Sequence, residues 1–195
     1  MLWLLLAAQL SAPEPIKPLS WWSPDDMPAY HQRAGVTRAV DWRATISLNG
    51  RIESCEIERS SGDTKLDALT CSIIMKRGSF KPAKWIDGST VQGVVRGHTA
   101  WAVGPNVRAI PTGIVARVDR LPKHVRSPAF VAVQFAVHED GRISNCIAAP
   151  ENKVAQLVTQ ACAALPTVQL IKPPLGPGGA PVRSVQQAIV TFVKK

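Results

Sequence analysis

Apolar and polar residues alternate along the stretch Val40 to Leu48. Val40, Trp42, Ala44, Ile46 and Leu48 fall on one side, and Asp41, Arg43, Thr45 and Ser47 on the other. A period of two predicts a half-buried strand. Asn49-Gly50 follows, and both residues tolerate the positive φ of a two-residue hairpin turn. A second strand is therefore expected from Arg51 to about Arg59, with Cys55 and Ile57 on one face. Ser60-Ser61-Gly62 ends it. Beyond Asp63, a helix-capping residue, the spacing turns helical. Leu66, Leu69, Thr70, Ile73 and Ile74 share an apolar face, and Gly78 fits the helix end. After Phe80-Lys81-Pro82-Ala83 and a turn near Asp87-Gly88, a third strand is expected from about Val91 to Trp101. The pattern reads β-β-α-β.

The pattern returns. With a shift of 91 positions, Gly50-Arg51-Ile52 falls on Gly141-Arg142-Ile143, Cys55 on Cys146, Cys71 on Cys162, Leu66 on Leu157 and Lys81-Pro82 on Lys172-Pro173. Gly88, Val91 and Val94 meet Gly179, Val182 and Val185. The chain is a tandem of two similar units. In the second, Val131, Val133, Phe135 and Val137 form the first strand and Asp140-Gly141 the turn. A helix is expected from Lys153 to Leu165, stopped before Pro166. A loop from Pro173 to Pro181 leads to a last strand over Val182 to Val193. The expected fold is α+β: two small β-β-α-β units, each a three-stranded antiparallel sheet packed against one helix. The expected division is a leader over 1–12, a short Pro-containing lead over 13–20, one domain over 21–103, a linker over 104–127 and a second domain over 128–195. The linker carries a short strand at Thr112 to Val118.

Composition narrows the class. Of 195 residues, 46% are hydrophobic and 19% charged, a balance that suits a folded chain. The net charge of +9 draws such a chain to anionic surfaces, including acidic cell-wall polymer. The basic residues are scattered singly, so nucleic acid is not an expected partner. Leu2 to Leu10 is apolar and is followed by small residues, as in a secretory leader, although no Lys or Arg precedes it. The alternative is an apolar segment with no targeting role. It is too short to span a bilayer, which takes about 20 apolar residues.

Four cysteines in an exported chain favour disulfides, and no Cys-x-x-Cys pair suggests zinc. Cys55 on the second strand and Cys71 on the helix would tie helix to hairpin, and Cys146 and Cys162 would do the same in the second unit. Cys71 sits at the margin of the apolar face, and buried free thiols are the rival reading.

No nucleophile motif and no phosphate-binding loop stands in the sequence, so no enzyme activity, cofactor or metal is expected. His138-Glu139-Asp140 lies at a strand end and hairpin turn, where a solvated turn is the expected role. Trp21-Trp22 could stack on sugar or lipid, or cover the end of the core.

Several of these elements together resemble the C-terminal domain of TonB-family proteins. They are Asp25-Asp26-Met27-Pro28-Ala29 before Ala34-Gly35, then Val40, Gly50-Arg51-Ile52, Ser60-Ser61-Gly62, Leu66-Asp67 and Phe80-Lys81-Pro82-Ala83 before Gly88. Residues 22–101 carry the resemblance, in a cysteine-containing variant. Residues 128–193 resemble a degenerate second copy, with Ala149-Pro150-Glu151 in place of Ser-Ser-Gly and Ile171 in place of the aromatic residue. The resemblance implies a periplasmic, non-catalytic module of TonB-dependent envelope transport. It would bind the extended TonB-box peptides of outer-membrane receptors by strand addition. The implied edge is the third strand: Val91, Gln92, Gly93, Val94, Val95, Arg96 and Gly97. Gly93 and Gly97 would either allow close backbone approach or mark a bulge. The family's long Pro-rich spacer and full transmembrane helix are not in this sequence, which leaves two alternatives: a basic periplasmic scaffold binding cell-wall polymer, and an intramolecular or dimeric arrangement in which strand edges pair with each other and no peptide binds. The sequence does not specify an oligomeric state.

Overall fold

The computed structural model describes residues 9–35, 37–102, 113–150, 152, 154–169 and 171–195. In chain order the elements are β1 (Glu14–Pro15), α1 (Ala29–Ala34), β2 (Arg38–Ile46), β3 (Ile52–Arg59), α2 (Thr64–Arg77), β4 (Phe80–Lys81), β5 (Ala83–Lys84), β6 (Thr90–Trp101), β7 (Ile114–Val118), β8 (Ala129–Val137), β9 (Ile143–Ala148), α3 (Val158–Ala164) and β10 (Ser184–Lys194). The fold is mixed α and β, mostly sheet with few helices. The residues read as a leader up to Ala8, residue 103 at the end of the first expected domain, and 104–112 of the linker lie outside the described residues.

The local elements follow the sequence pattern. Asp63 caps α2 by accepting from the Lys65 and Leu66 N–H groups, which satisfies donors the helix leaves unpaired. Leu66, Ile73 and Ile74 are buried on its inner face. Both hairpin turns differ in type from the two-residue form expected. The Gly50 N–H donates to the Ser47 carbonyl at 3.0 Å, and the Gly141 N–H to the His138 carbonyl at 2.9 Å. Gly50 and Gly141 then take φ of 80° and 84°. A turn closed by a glycine in the left-handed region makes a three-residue loop, and it appears at the same place in both halves. The helix expected over Lys153 to Leu165 is shorter. Lys153 lies outside the described residues, and α3 covers Val158–Ala164 between single 3-10 turns at Ala155–Leu157 and Leu165–Thr167.

The pattern predicts two separate three-stranded sheets. The structure instead joins eight strands into one sheet, in the order β3-β2-β6-β10-β8-β9, with β5 paired to β6 and β7 to β10. Gln92–Val95 of β6 pair in parallel with Ser184–Gln187 of β10. Within its half, each of these strands would be an open edge, and the two satisfy each other's main-chain groups. The expected linker strand is present as β7, which pairs in parallel with Val190–Lys194.

Register fixes the side on which each helix lies. Thr45, Val94, Gln186 and Phe135 are successive cross-strand neighbours and share one face. Phe135 belongs to the core under α3, with Val131, Val133, Leu157, Ala161 and Leu165. Ala44 and Ile46 alternate to the other face and pack with Ile74 of α2. The two helices therefore cover opposite faces of the sheet.

The N-terminal residues strap the halves together. Ser11 and Lys84 exchange main-chain bonds at 3.0 and 2.9 Å. The Ala12 N–H donates to Gln134 Oε1 at 2.9 Å, and Gln134 Nε2 donates to the Leu10 carbonyl at 3.3 Å. Leu10 and Ala12 are buried beside Val91 of β6, Ala136 of β8 and Val185 of β10. Trp21 is also core: it is buried, meets Phe80 edge-on at 5.2 Å, and donates its Nε1 to the Ile16 carbonyl. Its neighbour Trp22 packs edge-on against Trp101.

Candidate functional site: sheet edges and a charged seam

The strand implied as a peptide-binding edge lies in the middle of the sheet. Val91, Gln92, Val94, Val95 and Arg96 are all buried. β2 pairs with β6 from Gly93 to Trp101, and β10 occupies the other side from Gln92 to Val95. A peptide cannot add to that stretch without displacing β10. The two glycines have a packing cause. A Cβ on Gly93 would overlap the Pro13 ring, and one on Gly97 would overlap the Trp42 indole. Their small size seats neighbouring side chains of the strap and of β2.

The open edges are elsewhere. β3 ends the sheet on one side and, among the described residues, pairs only with β2, over Ile52–Arg59. β9 ends it on the other side and is irregular, with a register shift opposite Gln134–Ala136 and Asn145 at φ 51°. β3 is the longer terminal strand, with eight residues against six, although its pairing with β2 also shifts register, between Asp41 and Trp42 and between Thr45 and Ile46. Each terminal strand is bonded to the helix above it: the sulfurs of Cys55 and Cys71 are 1.99 Å apart and those of Cys146 and Cys162 1.97 Å. Both expected pairings are present, and no described cysteine is free.

The face of the first half opposite α2 carries a charged seam. Arg96 Nε donates to Glu58 Oε1 at 3.0 Å, and its Nη1 donates to Gln186 Oε1 at 3.0 Å. Gln186 Nε2 donates in turn to the Lys172 carbonyl at 2.8 Å. Burial pulls the Arg96 pKa below its usual value, with Glu58 opposing. Beside this group, Asp41 meets His98 Nδ1 at 2.7 Å, accepts from the Gly113 N–H at 3.2 Å, and pairs with Arg59 at 3.0 Å. Burial alone would raise the Asp41 carboxyl. The bonds from His98 and Gly113 and the Arg59 charge outweigh it, and its pKa lies below the usual carboxylate value.

The alternation had placed Asp41 and Arg43 on a solvated face. The available signal was the mixture of signs on that face: Asp41, Arg43, Glu56, Glu58 and Arg96 can neutralise one another, and Glu56 stays exposed while it does so. His138 bonds Ser144 Oγ at 2.8 Å across the hairpin, with Glu139 and Asp140 exposed at its tip. His31 is buried with Nε2 3.1 Å from the Trp101 carbonyl. Both histidines thus have structural partners. Among the described residues, no helix is long and apolar enough to cross a membrane.

Comparison with protein-family models, with curated proteins and with solved structures finds no match to this chain.

Proposed function

We propose that the chain is a non-catalytic periplasmic module built from two related β-β-α-β units, which takes up extended peptides of outer-membrane receptors as an added strand. The peptides are of TonB-box type, and the docking strand is an outer edge of the joined sheet instead of Val91 to Gly97. The observation that carries the reading is the terminal strand β3. No described strand pairs with its outer side over Ile52–Arg59, and Cys55–Cys71 fixes the strand to α2. An open edge on a rigid support is what strand addition requires, because the peptide gains main-chain bonds without disturbing the host. The two disulfides support an oxidising compartment. The test is a titration of the oxidised, isotope-labelled chain with box peptides from the same cell's receptors, followed by amide shifts. Shifts along an outer strand support the reading. An unchanged spectrum at millimolar peptide removes it.

The net charge of +9 favours a second reading, a scaffold on anionic cell-wall polymer. Sedimentation with isolated sacculi that vanishes at high salt, in a chain that ignores box peptides, would select it.

A further inference from the structure

β8 is paired along its whole length by β10, from Ala129 to Val137. On its other side β9 reaches only from Val137 to Val133, and the last main-chain bond there runs from the Ala149 N–H to the Ala132 carbonyl at 3.0 Å. The chain then turns, with the Asn152 N–H donating to the Ala149 carbonyl. Among the described residues nothing pairs with Ala129 to Val131 on that side. Along a strand, the N–H and C=O of alternate residues point to the same side. Since the Ala132 carbonyl points toward β9, the N–H and C=O of Phe130 point the same way, into the space where β9 has ended.

That space is a groove of about 760 Å³. Phe130, Ala132 and Ile189 form its apolar floor, and Phe130 is 38% exposed. Lys123, His124 and Arg126 stand along one wall, all exposed, and no carboxylate lines the groove among the described residues. Neither Lys123 nor Arg126 is placed in an ion pair with a described residue. A main-chain donor and acceptor that no described residue takes up, an apolar floor and a basic wall thus meet at one place.

We propose that this groove takes an extended acidic peptide, which adds as a strand beside β8 at Phe130 in the line that β9 vacates. Its main chain bonds Phe130, its apolar side chains lie on Phe130, and its carboxylates face Lys123 and Arg126. This rests on the reading above that the sheet receives peptide strands, and it names a site and a chemistry for one of them. The open stretch is about three residues, roughly 10 Å of strand. The main-chain contribution is therefore small, and the charges select the sequence.

The experiment uses the oxidised full chain and three blocked eight-residue peptides. One alternates Asp and Val, one alternates Lys and Val, and one is the Asp-Val peptide N-methylated at every second residue. Amide shifts at Phe130, Ala132 and Val154 are expected with the first peptide only. In the exposed double variant Lys123→Glu with Arg126→Glu, its affinity should weaken about tenfold, the sum of two modest surface pairs. Equal binding of the N-methylated peptide would overturn strand addition at this site. Shifts from the Asp-Val peptide confined to Ile52–Arg59 would overturn the groove while leaving the broader function standing. No shifts from any of these peptides, in a chain that does bind box peptides at β3, would also overturn the groove alone.

Discussion

Arg96 and Gln186 join the two halves of the chain through a buried hydrogen bond of 3.0 Å, across the parallel seam between β6 and β10. Arg96 also holds Glu58, and only 5% of its side chain and 12% of that of Glu58 are exposed. Arg96→Ala leaves a nearly buried carboxylate and amide without their donor, and should cost about 3 kcal/mol. Arg96→Met paired with Glu58→Leu removes both charges and should recover most of that loss. Urea midpoints of the two variants check the difference.

Gly97 makes room for the Trp42 indole, whose Nε1 donates to Thr99 Oγ1 at 3.0 Å. Gly97→Ala forces the ring out of place and should cost about 2 kcal/mol by overpacking. Near-ultraviolet circular dichroism should lose part of its tryptophan signal, and the thermal midpoint should fall.

Each disulfide closes a loop between cysteines 16 positions apart. Loop-closure entropy gives about 3 kcal/mol for each. Losing Cys146–Cys162 should be the more damaging change. α3 has only seven residues, below the length at which a helix holds itself, whereas α2 has fourteen. Replacing each pair by serine and comparing urea midpoints tests the order.

Asp67 is the carboxylate that organises the Ser-Ser-Gly segment. It accepts from the Ser61 N–H at 2.9 Å and from the hydroxyls of Ser60 and Ser61. Burial alone would raise its pKa, but these bonds together hold it below the ordinary value of 3.8. A folded pKa below the unfolded one gives stability that is present above the unfolded value and lost as pH falls through the folded one. Wild type should therefore exceed Asp67→Asn in stability by a constant margin from neutral pH down to about pH 5, and the margin should shrink below about pH 4. Urea titrations at several pH values measure it. A margin that grows in acid would contradict the assignment.

The elements legible in the sequence are those fixed by local periodicity. β2, β3 and α2 lie close to where alternation and capping put them, and both cysteine pairs connect the elements that the repeat aligned. What local pattern could not supply was partnership at a distance. Val91 to Gly97 reads the same whether its second side is open or paired, because nothing in those residues identifies Ser184 to Gln187 as a neighbour. Asp41 looks solvated until the Gly113 N–H, far along the chain, is known to donate to it. Leu10 and Ala12 read as the end of an apolar leader, and their packing in the strap depends on Gln134, far along the chain. α3 fell short at its start, where Leu157 supplies no side-chain cap.

Amide hydrogen exchange on the oxidised full chain, with and without a bound receptor-type peptide, tests most directly whether the joined sheet receives peptides at its outer edges. The account predicts slow exchange at Gln92 to Val95 in the free chain, unchanged on binding, with new protection along Ile52–Arg59 or at Phe130. Fast exchange at Gln92 to Val95 in the free chain, turning slow when the peptide binds, would contradict it and return the binding edge to β6.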